Sequence, residues 1–567
     1  MLLTIVVFLP LAGALPLLLA RDRNARELKA WALLVSCATF LAALPLWFAF
    51  EPHGDLYQFV ENHPWIRLRG LTVDYALGVD GPAALLMLLT ALITPIALLS
   101  SWNYIRERQK EFYIAMLVLE TAMLGVFAAT DLFLFYVFFE ASLIPMYLII
   151  GIWGGPERLY ATTKFVLFTA FGSLLMFIAI LFVYYKTGGE SFSIVQLADR
   201  LAQLRAEQKL SAAEEWWCFW AFALAFAIKV PLFPLHTWLP DAHVEAPTPG
   251  SVILAAILLK MGGYGFFRMV VPFFPAGSAQ FAPVLAVLCL VAISYASLMA
   301  YAQTDLKKLI AYTSVAHMGT CILGLFSYQV LGVQGGLYQM LSHGVSTGGL
   351  FLLAGMIYER THTREIEYFG GLAKILPTYA ICFVVVALSS IGLPLTNGFV
   401  GEFAALLGAF QRNPWWGALG GLGAILGAVY MLSLIRRVFF GPVKRPALET
   451  LTDLNGREVA VLLPLLALIF VMGVAPGPFF HRMEASVNEF VRRSSVPSAP
   501  SAQAQTASAA RLDPLLEGER AGAASSPENG TPPAPPHTKG WRTTATNGGK
   551  TTAVTGKALA DIQGALP

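Results

Sequence analysis

The sequence predicts an all-α polytopic membrane protein with about 14 transmembrane helices. Of its 567 residues, 56% are hydrophobic and only 13% are charged, which is too apolar for a water-soluble chain of this length. Apolar windows long enough to cross a bilayer recur along most of the chain. Two of these windows also contain a lysine, and such intramembrane charges are typical of transport machinery.

The same composition argues against other classes of protein. The net charge is only +3, and the basic residues lie in loops between apolar segments, so nucleic acid is not expected as a partner. The cysteines lie within or beside apolar segments without a CxxC pair, which favours small packing side chains over disulfides or an iron–sulfur site: Cys37, Cys218, Cys289, Cys321 and Cys382.

The predicted helices can be placed in order from the apolar windows. The first 20 residues lack a basic leader and are long enough to span, so we assign them to the first membrane helix. The windows begin near residues 1, 30, 79, 112, 131, 164, 216, 250, 280, 308, 330, 375, 415 and 458. Loops after odd-numbered helices contain more Lys and Arg than most loops after even-numbered helices. The exception is the 186–215 segment, which follows an even-numbered helix. The positive-inside rule therefore puts those loops in the cytoplasm and both termini on the outer face.

Three stretches lie outside the predicted spans. The loops 51–78 and 186–215 are long and mixed in polarity, and are expected to form short interfacial helices or strands, without a choice between the two. From residue 496 the chain is rich in Pro, Ser, Ala, Thr and Gly, and is predicted to be disordered because it cannot bury enough apolar surface to fold.

A short internal match indicates a repeat. Ala227–Leu232 in predicted helix 7 (AIKVPL) resembles Ser390–Leu395 in predicted helix 12 (SIGLPL), and a proline interrupts each helix. The two helices lie five spans apart and run in opposite directions, as in inverted-repeat transporters with discontinuous helices. A chance match of two short motifs is the alternative.

Lys229 is the first candidate site residue. Pro231 and Pro234 follow it and cannot donate to the carbonyls of Ala227 and Val230, so acceptors are expected to be free near the ammonium. The alternative is a proline kink with a snorkelling lysine, which fits poorly because about 13 largely apolar residues precede Lys229 in its span.

Lys260 lies near the middle of the next apolar segment. A buried lysine without a partner is costly, so a role in ion transfer is favoured over packing. Gly262, Gly263 and Gly265 follow it and would permit a neighbouring helix, or water, to approach closely.

Three carboxylates lie in apolar segments. Glu140 is central in its span and has Lys229 as its first-choice counter-ion on a neighbouring helix. Glu402 follows the break in helix 12 and suits the last station of a proton path. Glu120 is the weaker candidate, since a neutral, hydrogen-bonded core carboxyl explains it as well.

Two histidines lie between these groups. Histidine as a residue type ordinarily titrates near neutral pH, so His317 and His343 could relay protons, although a histidine satisfied by a carbonyl in the core is as good an account of each alone. Taken as a series from Lys229 through Lys260, His317 and His343 to Glu402, they favour a relay.

Two further patterns are set aside. The cluster of His236, Asp241, His243 and Glu245 lies in a Pro-rich turn where no helical or strand spacing aligns it as a metal site. Gly421, Gly423 and Gly427 lie within an apolar span and are interpreted as helix-packing glycines instead of a dinucleotide loop.

Several of these segments carry a family resemblance. FYVFFEASLIPMYLIIGIWGG, FAIKVPLFPLHTWLPDAHVEAPTPGSVILAAILLKMGGYG and LPLTNGFVGEF resemble the antiporter-like subunits of respiratory complex I, the proton-translocating NADH:quinone oxidoreductase. The resemblance covers roughly residues 1–490. It implies that Glu140 pairs with Lys229, that Lys260 links to the centre, and that Glu402 lies on the exit route.

The resemblance also implies an organisation of the chain. Two inverted five-helix repeats, helices 4–8 and 9–13, contain the broken helices 7 and 12. The expected domains are the N-terminal helices and outer loop, the first repeat, the second repeat, the last helix and the tail, at residues 1–111, 112–271, 272–441, 442–495 and 496–567.

The function implied is proton translocation in a membrane arm, driven by redox chemistry elsewhere. No cofactor is expected in this chain, and NADH, FMN, iron–sulfur clusters and quinone belong to partner subunits. The expected partners are other membrane-arm subunits, especially neighbouring antiporter-like ones, and lipids, in a bacterial inner membrane. The alternatives are a subunit of a multi-subunit Na⁺/H⁺ antiporter or membrane-bound hydrogenase, and an inert scaffold for a redox arm.

Overall fold

The computed structural model describes residues 1–19 and 25–494, so the predicted disorder of the 496–567 tail falls outside the described residues. The described chain is almost entirely helical. The N-terminal part consists of α1 (Leu2–Leu19), α2 (Ala25–Ala43), α3 (Pro45–Phe48), β1 (Gln58–Leu68), β2 (Leu71–Val79) and α4 (Gly81–Ser100).

The next part contains several interrupted helices. Its elements are α5 (Gln109–Ala128), α6 (Leu132–Ala141), α7 (Leu143–Trp153), α8 (Arg158–Lys186), α9 (Ile194–Ala206), α10 (Ala212–Lys229), α11 (Trp238–Glu245), α12 (Thr248–Ile253), the π-helical segment π1 (Leu254–Leu258), α13 (Leu259–Gly265), π2 (Phe266–Val270) and α14 (Val271–Phe273).

The last part contains the longest described helix. Its elements are α15 (Pro275–Tyr301), α16 (Leu306–Leu325), α17 (Val330–Thr361), a 3₁₀ turn (Ile366–Tyr368), α18 (Leu372–Ile375), α19 (Pro377–Ser390), α20 (Asn397–Arg412), α21 (Pro414–Phe439), α22 (Pro446–Glu449), α23 (Gly456–Val474) and α24 (Gly477–Ser494).

Eleven helices in the described ranges are long and apolar enough to cross a membrane. The other three predicted spans correspond to α10, α16 and α19, which do not meet these criteria of length and apolar composition together. The count of 14 therefore stays a prediction. The outer faces of several helices support a membrane setting: on α8, Leu167, Phe171 and Ile178 are each about 60% exposed, a contiguous apolar surface that water would not tolerate.

The two undecided loops take different structures. Residues 58–79 form an antiparallel hairpin of β1 and β2, with Leu68 paired to Leu71 across the turn. The second loop contains the amphipathic helix α9, whose apolar side is buried. A further amphipathic helix, α24, follows α23 and was not distinguished from it by the sequence.

Helices 7 and 12 are both interrupted as predicted. The N–H of Leu232 donates to the Ala227 carbonyl at the end of α10, and that of Leu393 donates to Leu388 at the end of α19, at 2.9 and 3.0 Å. These are the six-residue bonds of a Schellman C-cap. Gly392 supplies the left-handed residue in the second cap, with φ of 76°.

The two caps do not follow the alignment of the sequence match. In the two caps, Pro231 and Gly392 occupy the same position. In the sequence motif, Pro231 corresponds to Pro394, which lies two residues after Gly392. The inverted repeat and the domain boundaries stay predictions.

Two other spans are interrupted where the sequence predicted continuity. Helices α6 and α7 separate at Ser142, and the span from Thr248 to Phe273 contains two π-helical segments around α13. Widened π turns free backbone carbonyls and occur frequently at functional sites.

The glycines give a mixed result. A Cβ at Gly262 would lie 2.7 Å from Val230 Cγ2, which confirms that this glycine permits α13 to approach the end of α10. A Cβ at Gly423 would lie 2.6 Å from Ile293, as expected for helix packing, but no atom of the described residues lies within 4 Å of one at Gly421. No contact in the described part of this chain therefore supports the packing interpretation of Gly421.

Candidate functional site

Lys229 is the last residue of α10 and is 1% exposed. Its Nζ has no hydrogen-bond partner among the described residues and lies 4.8 Å from the centroid of the Phe139 ring. The expectation that proline frees the Ala227 carbonyl for this ammonium is wrong, because the N–H of Leu232 occupies that carbonyl. The indole N–H of Trp238 donates a hydrogen bond to the neighbouring Ile228 carbonyl at 3.0 Å.

Glu140 lies in the last turn of α6, beside the interruption at Ser142. It is partly exposed, and its Oε1 has no hydrogen-bond partner within the described ranges. Its charge acts on Lys229 through space, but the two form no direct ion pair in the described part of the chain. Glu140 and Lys229 are thus near each other, but they do not form the predicted ion pair in this conformation.

Lys260 is completely buried on α13 and has partners. Its Nζ donates to the carbonyl of Ala255 in π1 at 2.6 Å and lies 2.5 Å from Nδ1 of His343 on α17. Ala255 is five residues earlier on the same span, where the π turn exposes its carbonyl. The helix interruption therefore stabilises an ammonium that the surrounding apolar side chains would not.

His317 and Glu402 form the next contact. His317 Nδ1 on α16 lies 2.6 Å from Glu402 Oε1 on α20, and the amide of Gln339 donates to the same oxygen at 3.0 Å. The rings of His317 and His343 lie 5.8 Å apart between centroids. The cluster thus runs from Lys260 through His343 and His317 to Glu402.

This order differs from the order along the chain. The sequence-based series placed His317 next to Lys260, but the structure places His343 there and His317 at Glu402. Both α16 and α17 pack against α13 and α20, and α17 also packs against π1, so the positions that face each other across these helices decide which histidine meets which partner.

A small polar cavity lies between the two histidines. Its volume is about 10 Å³, and both histidines line it. Four buried polar atoms of lining residues have no protein partner among the described residues: His343 Nε2, Gln339 Oε1, Ser342 Oγ and Thr347 Oγ1. A cavity of this size and polarity holds about one water molecule, which would satisfy them.

The sequence analysis missed most of this cavity's lining. Gln339, Ser342, His343, Ser346 and Thr347 recur at intervals of three and four along α17, and so share one helix face. A search for polar helical periodicity inside an apolar span would have found them. Such a search would not have found Ser389, Ser390 and Asn397, the polar residues at the interruption of helix 12.

Glu120 lies apart from this cluster. It is completely buried on α5 and accepts a hydrogen bond from Ser36 Oγ at 3.0 Å, with no other predicted relay residue among its hydrogen-bond partners. This environment agrees with the alternative of a hydrogen-bonded core carboxyl.

Of the four residues predicted to lie in a Pro-rich turn, Asp241, His243 and Glu245 lie on α11 and His236 lies just before it. Their contacts are separate: Lys164 pairs with Asp241 at 2.7 Å, the ring of His243 stacks on Phe351 at 4.4 Å, Glu245 accepts from the Glu157 N–H at 2.9 Å, and the ring of His236 lies 5.5 Å from that of Tyr295. Each side chain has a packing or helix-linking contact of its own.

Comparison with known proteins agrees with this architecture. Residues 129–427 match the family described as NADH:quinone oxidoreductase/Mrp antiporter, transmembrane. NADH-quinone oxidoreductase subunit M of Rhodobacter capsulatus is 46% identical over 87% of this chain and 96% of its own length. The chain belongs to this family. NADH-ubiquinone oxidoreductase chain 4 of Arabidopsis thaliana is 42% identical over 86% of this chain and 96% of its own length.

Solved structures show the same fold. A chain of respiratory complex I from Thermus thermophilus matches with a TM-score of 0.79 and 36% identity, over 88% of this chain and all of the other. A chain of an archaeal membrane-bound sulfane sulfur reductase matches with a TM-score of 0.74 and 25% identity, over 85% of this chain and 77% of the other. The antiporter-like helical fold is therefore shared between complexes with different redox reactions.

Proposed function

We propose that this chain translocates protons as a membrane-arm subunit of NADH:quinone oxidoreductase, driven by redox chemistry in other subunits. The observation that carries the proposal is the buried cluster from Lys260 to Glu402 in a chain of this family. Its four titratable groups lie on four different helices, so their alignment is a property of the packed bundle. An inert scaffold would gain nothing from burying them, since each costs free energy in an apolar interior.

The cluster can transfer a proton in three steps. The Lys260 ammonium gives its proton to His343 Nδ1, with which it is already in hydrogen-bond contact. The other ring nitrogen of His343 belongs to the lining of the polar cavity, where one water connects it to His317. His317 then exchanges a proton with Glu402 through the direct contact at 2.6 Å. Histidine suits the middle steps because its two nitrogens can gain and lose protons at opposite sides of the ring.

Lys229 and Glu140 form the driving end. Contact between the carboxylate and the ammonium stabilises the charged lysine, and separation leaves that charge with only aromatic rings beside it. A redox-linked change that separates them would therefore drive the proton of Lys229 toward Lys260. Moving one charge against 100 mV needs about 2.3 kcal/mol. A change in the distance between Glu140 and Lys229 can supply free energy of that size.

The assembly and location follow from the family. The partners are other complex I membrane-arm subunits, with NADH, FMN, iron–sulfur and quinone chemistry residing in subunits other than this one. We place the chain in a bacterial inner membrane, with both termini on the outer face and loops such as 103–110 and 436–445 in the cytoplasm.

A related complex is the second candidate. The family description includes Mrp antiporters, and the sulfane sulfur reductase match has the same fold. The identity of the subunits that co-purify with this chain separates the two, because flavin and iron–sulfur absorbance together with NADH oxidation accompany a complex I subunit.

Replacing Lys260 with alanine tests the proposal. We expect the assembled complex to lose most of its NADH-driven proton uptake into vesicles, since the path loses its central carrier. The measurement is the quenching of a pH-sensitive dye on addition of NADH and quinone, normalised to the amount of assembled complex. Lys209→Ala is the matched control, because that lysine is 68% exposed in a loop.

Wild-type pumping by an assembled Lys260→Ala complex would overturn the relay. Loss of pumping in both variants would instead point to a general defect of assembly.

A further inference from the structure

A second buried charge lies on the same span as Lys260. Tyr264 and Arg268 follow Lys260 at intervals of four residues, along α13 and π2, so the three share one side of the helix. Arg268 is only 9% exposed, and no part of the relay described above uses it.

Arg268 is held by several groups at once. It pairs with Asp80 at 2.6 Å, donates to the hydroxyl of Tyr57 at 2.8 Å and to that of Tyr264 at 3.1 Å. The rings of Tyr57, Tyr264 and Phe267 also lie within 5.7 Å of its guanidinium carbon. A guanidinium stays protonated at any physiological pH, so this is a fixed positive charge in a fixed position.

A cavity adjoins this arginine on the side away from Lys260. Its volume is about 50 Å³, enough for a few waters, and Arg268, Tyr57, Ser486, Glu489 and Arg493 are among its lining residues. It lies among π2, α9 and α24, the elements on the side of the chain that the loop charges assign to the outer face.

The ion pair is oriented with respect to this cavity. Arg268 lines the cavity, whereas Asp80 does not; it is completely buried and caps the start of α4 through the Ala83 N–H. A hydrated proton in the cavity therefore meets the cation first. A fixed arginine placed this way excludes protons from water-filled pores.

We propose that Arg268 is an electrostatic plug that prevents protons from passing between Lys260 and the cavity beneath α9 and α24. The plug forces a proton on Lys260 to leave sideways through His343 and not straight along its own helix. Asp80, Tyr57 and Tyr264 are positioning residues that hold the guanidinium in the path. The inference rests on the proposed function, since it assigns a direction to that relay.

The test is passive proton leak, which needs no redox turnover. Purified complex in vesicles is given an imposed pH gradient, with valinomycin and potassium to clamp the voltage, and the decay of the gradient is followed without NADH. We expect Arg268→Gln to leak about tenfold faster than wild type, because removing a nearby unit charge removes most of the barrier. With NADH, this variant should oxidise substrate at the normal rate while holding a smaller gradient.

Two variants separate charge from structure. Arg268→Lys keeps the positive charge and should remain nearly as tight as wild type. Asp80→Asn removes the ion pair but keeps the cation and a good helix cap, so it should also remain tight. A structural role for the ion pair predicts instead that Asp80→Asn leaks as Arg268→Gln does, whereas Arg268→Lys can still pair with Asp80.

Arg360→Gln is the matched control. It breaks a different ion pair of the same length, 2.6 Å to Glu458, outside this cavity, and should not leak. The proposal is overturned if Arg268→Gln is as tight as wild type, or if either Arg268→Lys or Asp80→Asn leaks as fast as Arg268→Gln does. If the wild-type complex does not pump protons on addition of NADH, the proposed function is contradicted. The leak measurements would still test the role of Arg268.

Discussion

The two intramembrane lysines have opposite environments. Lys260 has a backbone carbonyl and an imidazole within 2.6 Å, whereas the Lys229 ammonium lies beside aromatic rings and has no hydrogen-bond partner in the described part of the chain. An ammonium with two acceptors is held in place, while one without acceptors depends on a counter-ion that can move. In the proposed relay, Lys260 would be the fixed residue and Lys229 the one that responds to its counter-ion, a difference that the sequence does not give because both lysines lie in similar apolar runs.

Asp453, which lies outside the membrane-spanning segments, stabilises the start of one of the broken helices. The Asp453 carboxylate accepts from the backbone N–H groups of Thr378 and Tyr379 at 2.8 and 3.0 Å, so it caps the start of α19 from a distant loop. Partial burial raises the pKa of Asp453, but the bonds from Thr378, Leu454 and Tyr379 outweigh it and hold the pKa below its usual value.

This cap predicts an acid-dependent opening of α19. The stabilisation is complete above the ordinary pKa of aspartate, near 3.9, and is lost as the pH falls through the lower pKa of the folded state. Amide exchange of the first turn of α19, corrected for intrinsic rates, should therefore accelerate in that range. The Asp453→Asn complex has no carboxylate to titrate and should show no such step; an identical step in both would contradict the prediction.

At the scale of elements, the close approach of α13 to α10 brings the two lysine-bearing helices together. Gly262 is the contact point: a Cβ there would lie 2.7 Å from Val230 Cγ2 and 2.8 Å from the Phe226 carbonyl. Because that carbonyl is backbone, the neighbour cannot rotate away, and one of the helices has to shift.

Gly262→Ala should consequently destabilise the protein by about 1–3 kcal/mol, the usual cost of overpacking. Thermal unfolding of the purified complex measures it. Gly421→Ala is the control, because no atom of the residues that the structure describes lies within 4 Å of the added methyl group on α21, and alanine favours the helix. Equal midpoints for the two variants would show that α13 does not need this contact.

At the scale of the whole molecule, the interruptions and the outer-face elements occur in a pattern. Helices α10 and α19 end in the same type of cap, and the hairpin, α9 and α24 lie on one predicted side. The direction of proton movement depends on which side this is, and only the loop charges indicate it.

Cysteine labelling tests that orientation. Lys209→Cys lies in the 186–215 loop, predicted outside, and Lys444→Cys in the 436–445 loop, predicted inside. A membrane-impermeant maleimide applied to intact spheroplasts should label the first variant and spare the second until lysis, with the parent chain correcting for native cysteines such as the exposed Cys37. The reverse pattern would invert the assignment of both faces and of both termini.

The sequence by itself determined the class of fold, the approximate position of the helices, the two broken helices and six relay candidates. Hydropathy and proline report local properties, and the cost of a charge in lipid singles out Lys229, Lys260, Glu140, Glu402 and the two histidines whatever the packing. The π segments left no such local signal, whereas Pro145, which cannot donate to the Ala141 carbonyl, could have indicated the interruption at Ser142.

Only the tertiary structure decided which candidates meet. The order His343 then His317, the contribution of Gln339, the separation of Glu120 and the ion pair of Arg268 with Asp80 all depend on which helix faces which. These contacts join residues far apart in the chain, and a pattern read along one segment carries no information on them. Their physical cause is the packing of α13, α16, α17 and α20, which brings scattered polar side chains into one buried row.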